Sequence, residues 1–75
     1  MSALDTVKAI LEKRGVDVSG LKEDDSLQEL GLDSLDLVEV MLVIEDALQV
    51  EFTSNEIASL TTIKDVANLI NSKKA

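Results

Sequence analysis

A single serine, Ser34, stands between two aspartates in the run Leu30-Gly31-Leu32-Asp33-Ser34-Leu35-Asp36, just after a glycine and at the head of a segment with helical periodicity. A serine hydroxyl at such a place has few chemical uses. As a nucleophile it needs a neighbouring base, normally His. The chain has no His and no Cys, and Asp33 and Leu35 break the G-x-S-x-G pattern of a nucleophile elbow. A noncovalent phosphate site is disfavoured as well: a helix N-terminus attracts anions, but Asp33 and Asp36 repel them here. A serine in this position is ordinarily a cap or first-turn residue. Beside that plain role stands one functional alternative, an exposed hydroxyl that another enzyme modifies.

The second group of residues with chemical potential is acidic. Asp33 and Asp36 suit a helix N-terminus, where the dipole favours carboxylates by about 0.3–1 kcal/mol. Glu39, Glu45 and Asp46 follow on the same segment, interleaved with Leu35 and Leu42. Glu45 and Asp46 fall where a helix dipole disfavours acids, and Asp36 with Glu39 is a like-charge pair; stability alone would not choose that arrangement. A charged face is usually just a solvated face. Here, however, every Lys and Arg lies at or before Lys22 or at or after Lys64. The acids and the two leucines therefore read together as a docking surface for basic partners. Carboxylates alone also invite Ca²⁺, but the spacing after Asp24 places Ser26 and Gln28 at the alternate positions and Glu29 where an EF-hand needs Gly. The Gly residues are scattered and form no phosphate-cradling loop.

The elements that must position these groups follow from periodicity and composition. The chain has 75 residues, 45% hydrophobic and rich in aliphatics, with Phe52 its only aromatic and no Pro. That length supports one domain of short packed helices and leaves little core to spare for an enclosed active site. Leu4, Val7, Ile10 and Leu11 recur at helical spacing, with Ser2 and Asp5 as a capping-box start and Gly15 as a stop. Positions 16–32 lack sustained periodicity and read as a long loop with room for one helical turn, pinned by Leu21, Leu27, Leu30 and Leu32. A second helix starts at its N-cap Asp33 and ends near Leu48, with Leu37, Val40, Met41, Ile44 and Leu48 as its core stripe. A short helix or turn around Asn55–Leu60 precedes a last helix capped by Thr62 and Asp65 and carrying Ile63, Val66, Ala67, Leu69 and Ile70. Asn71 to Ala75 reads as a frayed tail.

The net charge of −8 argues against nucleic acid or an anionic membrane surface as partner. No segment approaches the roughly 20 apolar residues of a membrane span. No basic-then-apolar leader opens the chain, which by default reads as cytoplasmic and monomeric.

Gly31-Leu32-Asp33-Ser34-Leu35-Asp36, followed by Val38-Glu39, resembles the modification motif of acyl carrier proteins. The similarity extends over nearly the whole chain: the apolar first helix, the Gly15-Val16 turn, the long loop, the Glu45-Asp46 pair and the run Leu60-Thr61-Thr62-Ile63-Lys64-Asp65. The resemblance implies an all-α, right-handed four-helix bundle with a short third helix. It also implies a serine, here Ser34, that receives 4'-phosphopantetheine from coenzyme A through a separate phosphopantetheinyl transferase. The thiol of that arm would hold acyl groups as thioesters, so the chain itself needs no Cys. Partner docking would fall on Asp33, Leu35, Asp36, Glu39, Leu42, Glu45 and Asp46, with acyl-handling enzymes bearing basic patches as partners in fatty acid, polyketide or related synthesis. Val38, Leu42, Ile57, Leu60 and Val66 either line an acyl cleft or are ordinary core, and core is the expectation for most. Peptidyl carriers resemble the chain less, having a second Gly and a non-acidic residue before the serine; D-alanyl carriers are nearer but favour Met where Leu35 stands. The reading from a different class is an unmodified acidic interaction module in which Ser34 is a plain cap.

Overall fold

The computed structural model describes residues 2–74. Four helices appear in it: α1 (Ala3–Lys13), α2 (Ser34–Leu48), α3 (Ser54–Ala58) and α4 (Ile63–Lys74). α1 packs on both α2 and α4, and α3 packs on α2. No strand occurs among the described residues, where β pairing is confined to an isolated bridge between Ser26 and Thr62.

Each helix starts where a short polar side chain can take up free backbone N–H groups. Ser2 and Asp5 exchange side-chain and backbone hydrogen bonds at α1, Asp33 and Asp36 at α2, and Thr53 and Glu56 at α3. At α4 the Asp65 N–H donates to Thr62 Oγ1, while Asp65 accepts from the N–H groups of Thr61 and Thr62. α1 ends in a paired backbone motif: the Gly15 N–H donates to Glu12 O and the Val16 N–H to Leu11 O. Gly15 makes that turn at φ 88°.

The core is aliphatic apart from Met41 and Phe52. Leu11, Met41, Ile44, Ile63 and Ile70 are completely buried, Val7, Val40 and Val66 nearly so, and no polar side chain of the described residues is buried with them. Full burial of one such side chain contributes about 1.5–3 kcal/mol. α2 delivers Val40, Met41 and Ile44 to this core and keeps Leu37 and Leu48 half-buried at its margins. The long loop is pinned by Leu27 and Leu32, with Leu21 and Leu30 packed more loosely.

Two sequence expectations need correction. The last helix does not fray at Asn71 but runs to Lys74, because Ile70 is fully buried and Lys73 Nζ pairs with Glu56 of α3 at 2.9 Å; Ala75 lies outside the described residues. The short third helix is Ser54–Ala58 rather than Asn55–Leu60. Its start is set by the Thr53–Glu56 capping box, and beyond Ala58 the Leu60 N–H bonds only three residues back, to Ile57 O.

Candidate functional site

The site is the start of α2 and the face that runs from it. The loop leads in through a single helical turn closed by backbone bonds from the Gly31 N–H to Gln28 O and from the Leu32 N–H to Leu27 O. Gly31 adopts φ 83°, the left-handed conformation that turns the chain toward Asp33. The Asp36 N–H then donates to Asp33 Oδ1 at 2.9 Å, and the Asp33 N–H to Asp36 Oδ2 at 3.4 Å. The aspartates thus perform the capping, and Ser34 is the first residue inside the helix. Its side chain is exposed and takes no part in the capping box.

An apolar cleft opens beside Ser34. Leu37 and Val38 of α2 form one wall, Ile57 and Ala58 of α3 with Leu60 form another, and Leu27, Gly31 and Leu32 of the loop close the end. The loop wall is fixed by backbone bonds to the start of α4: the Leu27 N–H donates to Thr61 O, the Ile63 N–H to Asp25 O and the Lys64 N–H to Glu23 O. Of the residues weighed between cleft and core, Val38, Ile57 and Leu60 line the cleft and Val66 is core. Leu42 is neither, being 54% exposed on the outer surface. The expectation that most of them are core is therefore corrected: α3 is too short to cover this side of α2.

The outward face of α2 carries Leu35, Glu39, Leu42 and Asp46, all exposed, with Leu35 at 67% the most exposed large apolar residue among the described residues. Asp36 and Glu45 sit at its edges, half-buried, and Asp33 at its head. Val43, also exposed, extends the apolar surface beyond the two leucines read from sequence. Glu45 has a structural partner in the Phe52 N–H, which donates to Glu45 Oε2 at 2.6 Å. Its place near the helix C-terminus therefore tethers the loop that buries Phe52. Arg14, at the C-cap of α1, donates to Glu39 Oε2 at 2.8 Å and to Asp36 Oδ1 at 3.4 Å. The like-charge pair that looked unfavourable in sequence is thus bridged by a cation from outside the acidic segment. Its one sequence signal is a basic residue directly before a helix-stopping glycine, and periodicity does not say which neighbour such a residue meets.

With this geometry in view, comparison with known proteins is decisive. A family model described as a phosphopantetheine attachment site matches residues 5–70. An acyl carrier protein of Campylobacter jejuni subsp. jejuni serotype O:23/36 (strain 81-176) is 36% identical over 99% of both chains. The chain belongs to the acyl carrier proteins. An acyl carrier protein of C. jejuni strain RM1221 is 34% identical over the same share of each chain. In shape the chain is similar to the crystal structure of an acyl carrier protein from Thermotoga maritima, with a TM-score of 0.83 and 27% identity, covering 93% of this chain and 82% of that one. As an acyl carrier protein the chain is a carrier and not an enzyme, and phosphopantetheine is the group its family attaches. The residues at the head of α2 fit such a group: an exposed hydroxyl, spared from capping, at the mouth of an apolar cleft.

Proposed function

We propose that Ser34 is the attachment residue, and that the chain carries acyl groups as thioesters on a 4'-phosphopantetheine arm joined to the Ser34 hydroxyl. The observation that carries this reading is the division of labour at the head of α2: Asp33 caps the helix, so the neighbouring hydroxyl is exposed and structurally dispensable. Attachment forms a phosphodiester at Ser34 Oγ and breaks the pyrophosphate link of coenzyme A, releasing adenosine 3',5'-bisphosphate. The arm supplies the thiol that the cysteine-free chain lacks.

The same reading assigns docking to the outward face of α2. Asp33, Asp36, Glu39, Glu45 and Asp46 attract basic enzymes, the phosphopantetheinyl transferase among them, and Leu35 and Leu42 supply apolar contact. Exposed leucines among acids are what a surface used for brief, repeated encounters needs: charge speeds approach, and a small contact area permits release. The acyl cargo belongs to fatty acid, polyketide or a related synthesis. The test is to load the modified chain with a radiolabelled acyl group, using an acyl-activating ligase and ATP. Label that hydroxylamine releases, and that is absent without prior phosphopantetheine transfer, supports the proposal. Label that resists hydroxylamine, or that appears on the unmodified chain, contradicts it.

A further inference from the structure

Arg14 occupies part of the surface on which docking is proposed. It lies at the C-cap of α1, where the Gly15 turn ends the helix, and its Nη2 reaches two carboxylates of α2 that are one turn apart. All three side chains remain substantially exposed, Glu39 the most at 49%. The contact is therefore open to exchange, and exposed ion pairs of this kind are weak. Among the described residues, the other acids of the docking face, Asp33, Glu45 and Asp46, have no cation within ion-pair distance, and Lys73 pairs instead with Glu56 on α3. One basic side chain thus stands against the middle of an otherwise acidic surface.

We infer that Arg14 is a built-in competitor for the Asp36–Glu39 pair, so that a basic partner must displace it to use these two acids. Partners that contact only the ends of α2 are unaffected, and partners that read its middle are selected for a cation able to replace a guanidinium. This makes Arg14 a specificity-determining residue of the docking face, and it rests on the docking reading above. Both contacts are made by the single nitrogen Nη2, so the ammonium of a lysine takes over the charge but not the guanidinium's reach and planar donor geometry. Arg14→Lys should therefore weaken the competition partially and Arg14→Gln abolish it.

The test is kcat/KM for phosphopantetheine transfer from coenzyme A by a broad-specificity transferase, measured against concentration of the chain at low and high salt. The variants are Arg14→Gln, Arg14→Lys, Glu39→Gln, the double variant Arg14→Gln/Glu39→Gln, and the charge-matched control Lys13→Gln, each verified by circular dichroism. Competition predicts that Arg14→Gln raises kcat/KM about two- to fivefold at low salt, the range an exposed ion pair allows. It further predicts that Lys13→Gln raises it less, that Arg14→Lys falls between, that the gain disappears at high salt, and that it shrinks in the Glu39→Gln background, where only the longer contact to Asp36 is left. An Arg14→Gln effect equal to that of Lys13→Gln, or a gain undiminished in the Glu39→Gln background, overturns the inference. Leu35→Ala, which changes no charge, separates the two readings. If Leu35→Ala slows transfer while Arg14→Gln does nothing, the docking face stands and the competitor falls. If neither variant changes the rate, both fall.

Discussion

At the scale of single residues, Ser34 and Asp33 differ in what the fold asks of them. Asp33 accepts the Asp36 N–H and anchors the capping box, whereas the Ser34 side chain is exposed and outside that box. Asp33→Ala should therefore cost about 1 kcal/mol, seen as a fall of roughly 4–8 °C in Tm for a domain of this size. Ser34→Ala should shift Tm by no more than about 2–4 °C, since exposed substitutions usually stay within about 0.5 kcal/mol. Equal losses in thermal melts of the two variants would mean that the serine is structural after all. Gln49 offers a second comparison. It ends α2 at φ 56°, a conformation that favours glycine, while its side chain donates to Asp46 O at 2.8 Å. Gln49→Gly should relieve the backbone strain but lose that bond, for a net gain of about 0.5 kcal/mol, or roughly 2–4 °C in Tm. A lowered Tm would show the side-chain bond to be the larger of the two effects. The caps Ser2–Asp5, Asp33–Asp36 and Thr62–Asp65 were legible in the sequence because a cap is a local pattern of residues three apart; the Thr53–Glu56 box has the same spacing but no long apolar stripe behind it to point to a helix start. Arg14 was not, because its partners lie 22 and 25 positions away and nothing local specifies them.

At the scale of elements, the short helix α3 shows how little sequence is needed when neighbours complete it. Five residues cannot hold a helix alone. α3 is secured by the Thr53–Glu56 capping box at its start and by Lys73 reaching across from α4. The Thr53 N–H, first, and the Lys73 ammonium, second, hold the Glu56 carboxyl below its ordinary value of 4.5. Because the folded state lowers this pKa, the stabilisation is present above the ordinary carboxylate value and is lost as pH falls through the folded one. Between native chain and Glu56→Gln, the gap in Tm should therefore be widest near pH 7 and narrow as pH drops below about 4.5. A gap constant across that range would mean that the carboxylate charge contributes nothing. The periodic stripe of α2 was legible before the structure: Val40, Met41 and Ile44 are buried as the helical wheel requires. The cleft was not, since whether an apolar residue is core or wall depends on how far α3 extends over α2, and helix length at that resolution is not written in periodicity.

At the scale of the whole molecule, charge is the dominant feature. The longest dimension is 28 Å, close to the screening length of about 30 Å at 0.01 M salt, so at that ionic strength nearly every acid feels every other. At 0.15 M the screening length falls to about 8 Å, and the repulsion becomes local. The ion pairs made by Arg14 and Lys73 are weakened by the same salt, but such pairs are worth at most about 1 kcal/mol each, against a net charge of −8. Relief of repulsion should win, and Tm should rise by several degrees between these salt concentrations. An unchanged or falling Tm would show that the cross-element pairs balance the excess charge. The helical class and the order of elements were legible from the absence of Pro, the aliphatic composition and the spacing of the stripes. The acidic middle was legible as a charge pattern, but its partial neutralisation by cations from both ends of the chain emerged only when α1 and α4 were packed against their neighbours.

All of this converges on one hydroxyl. The most direct measurement is the intact mass of the native chain and of Ser34→Ala after incubation with coenzyme A and a broad-specificity phosphopantetheinyl transferase. The predicted result is a gain of one phosphopantetheine on the native chain and none on the variant, with both retaining the same helical circular dichroism. No gain on the native chain, or an equal gain on both, would contradict the assignment of Ser34 as the attachment residue.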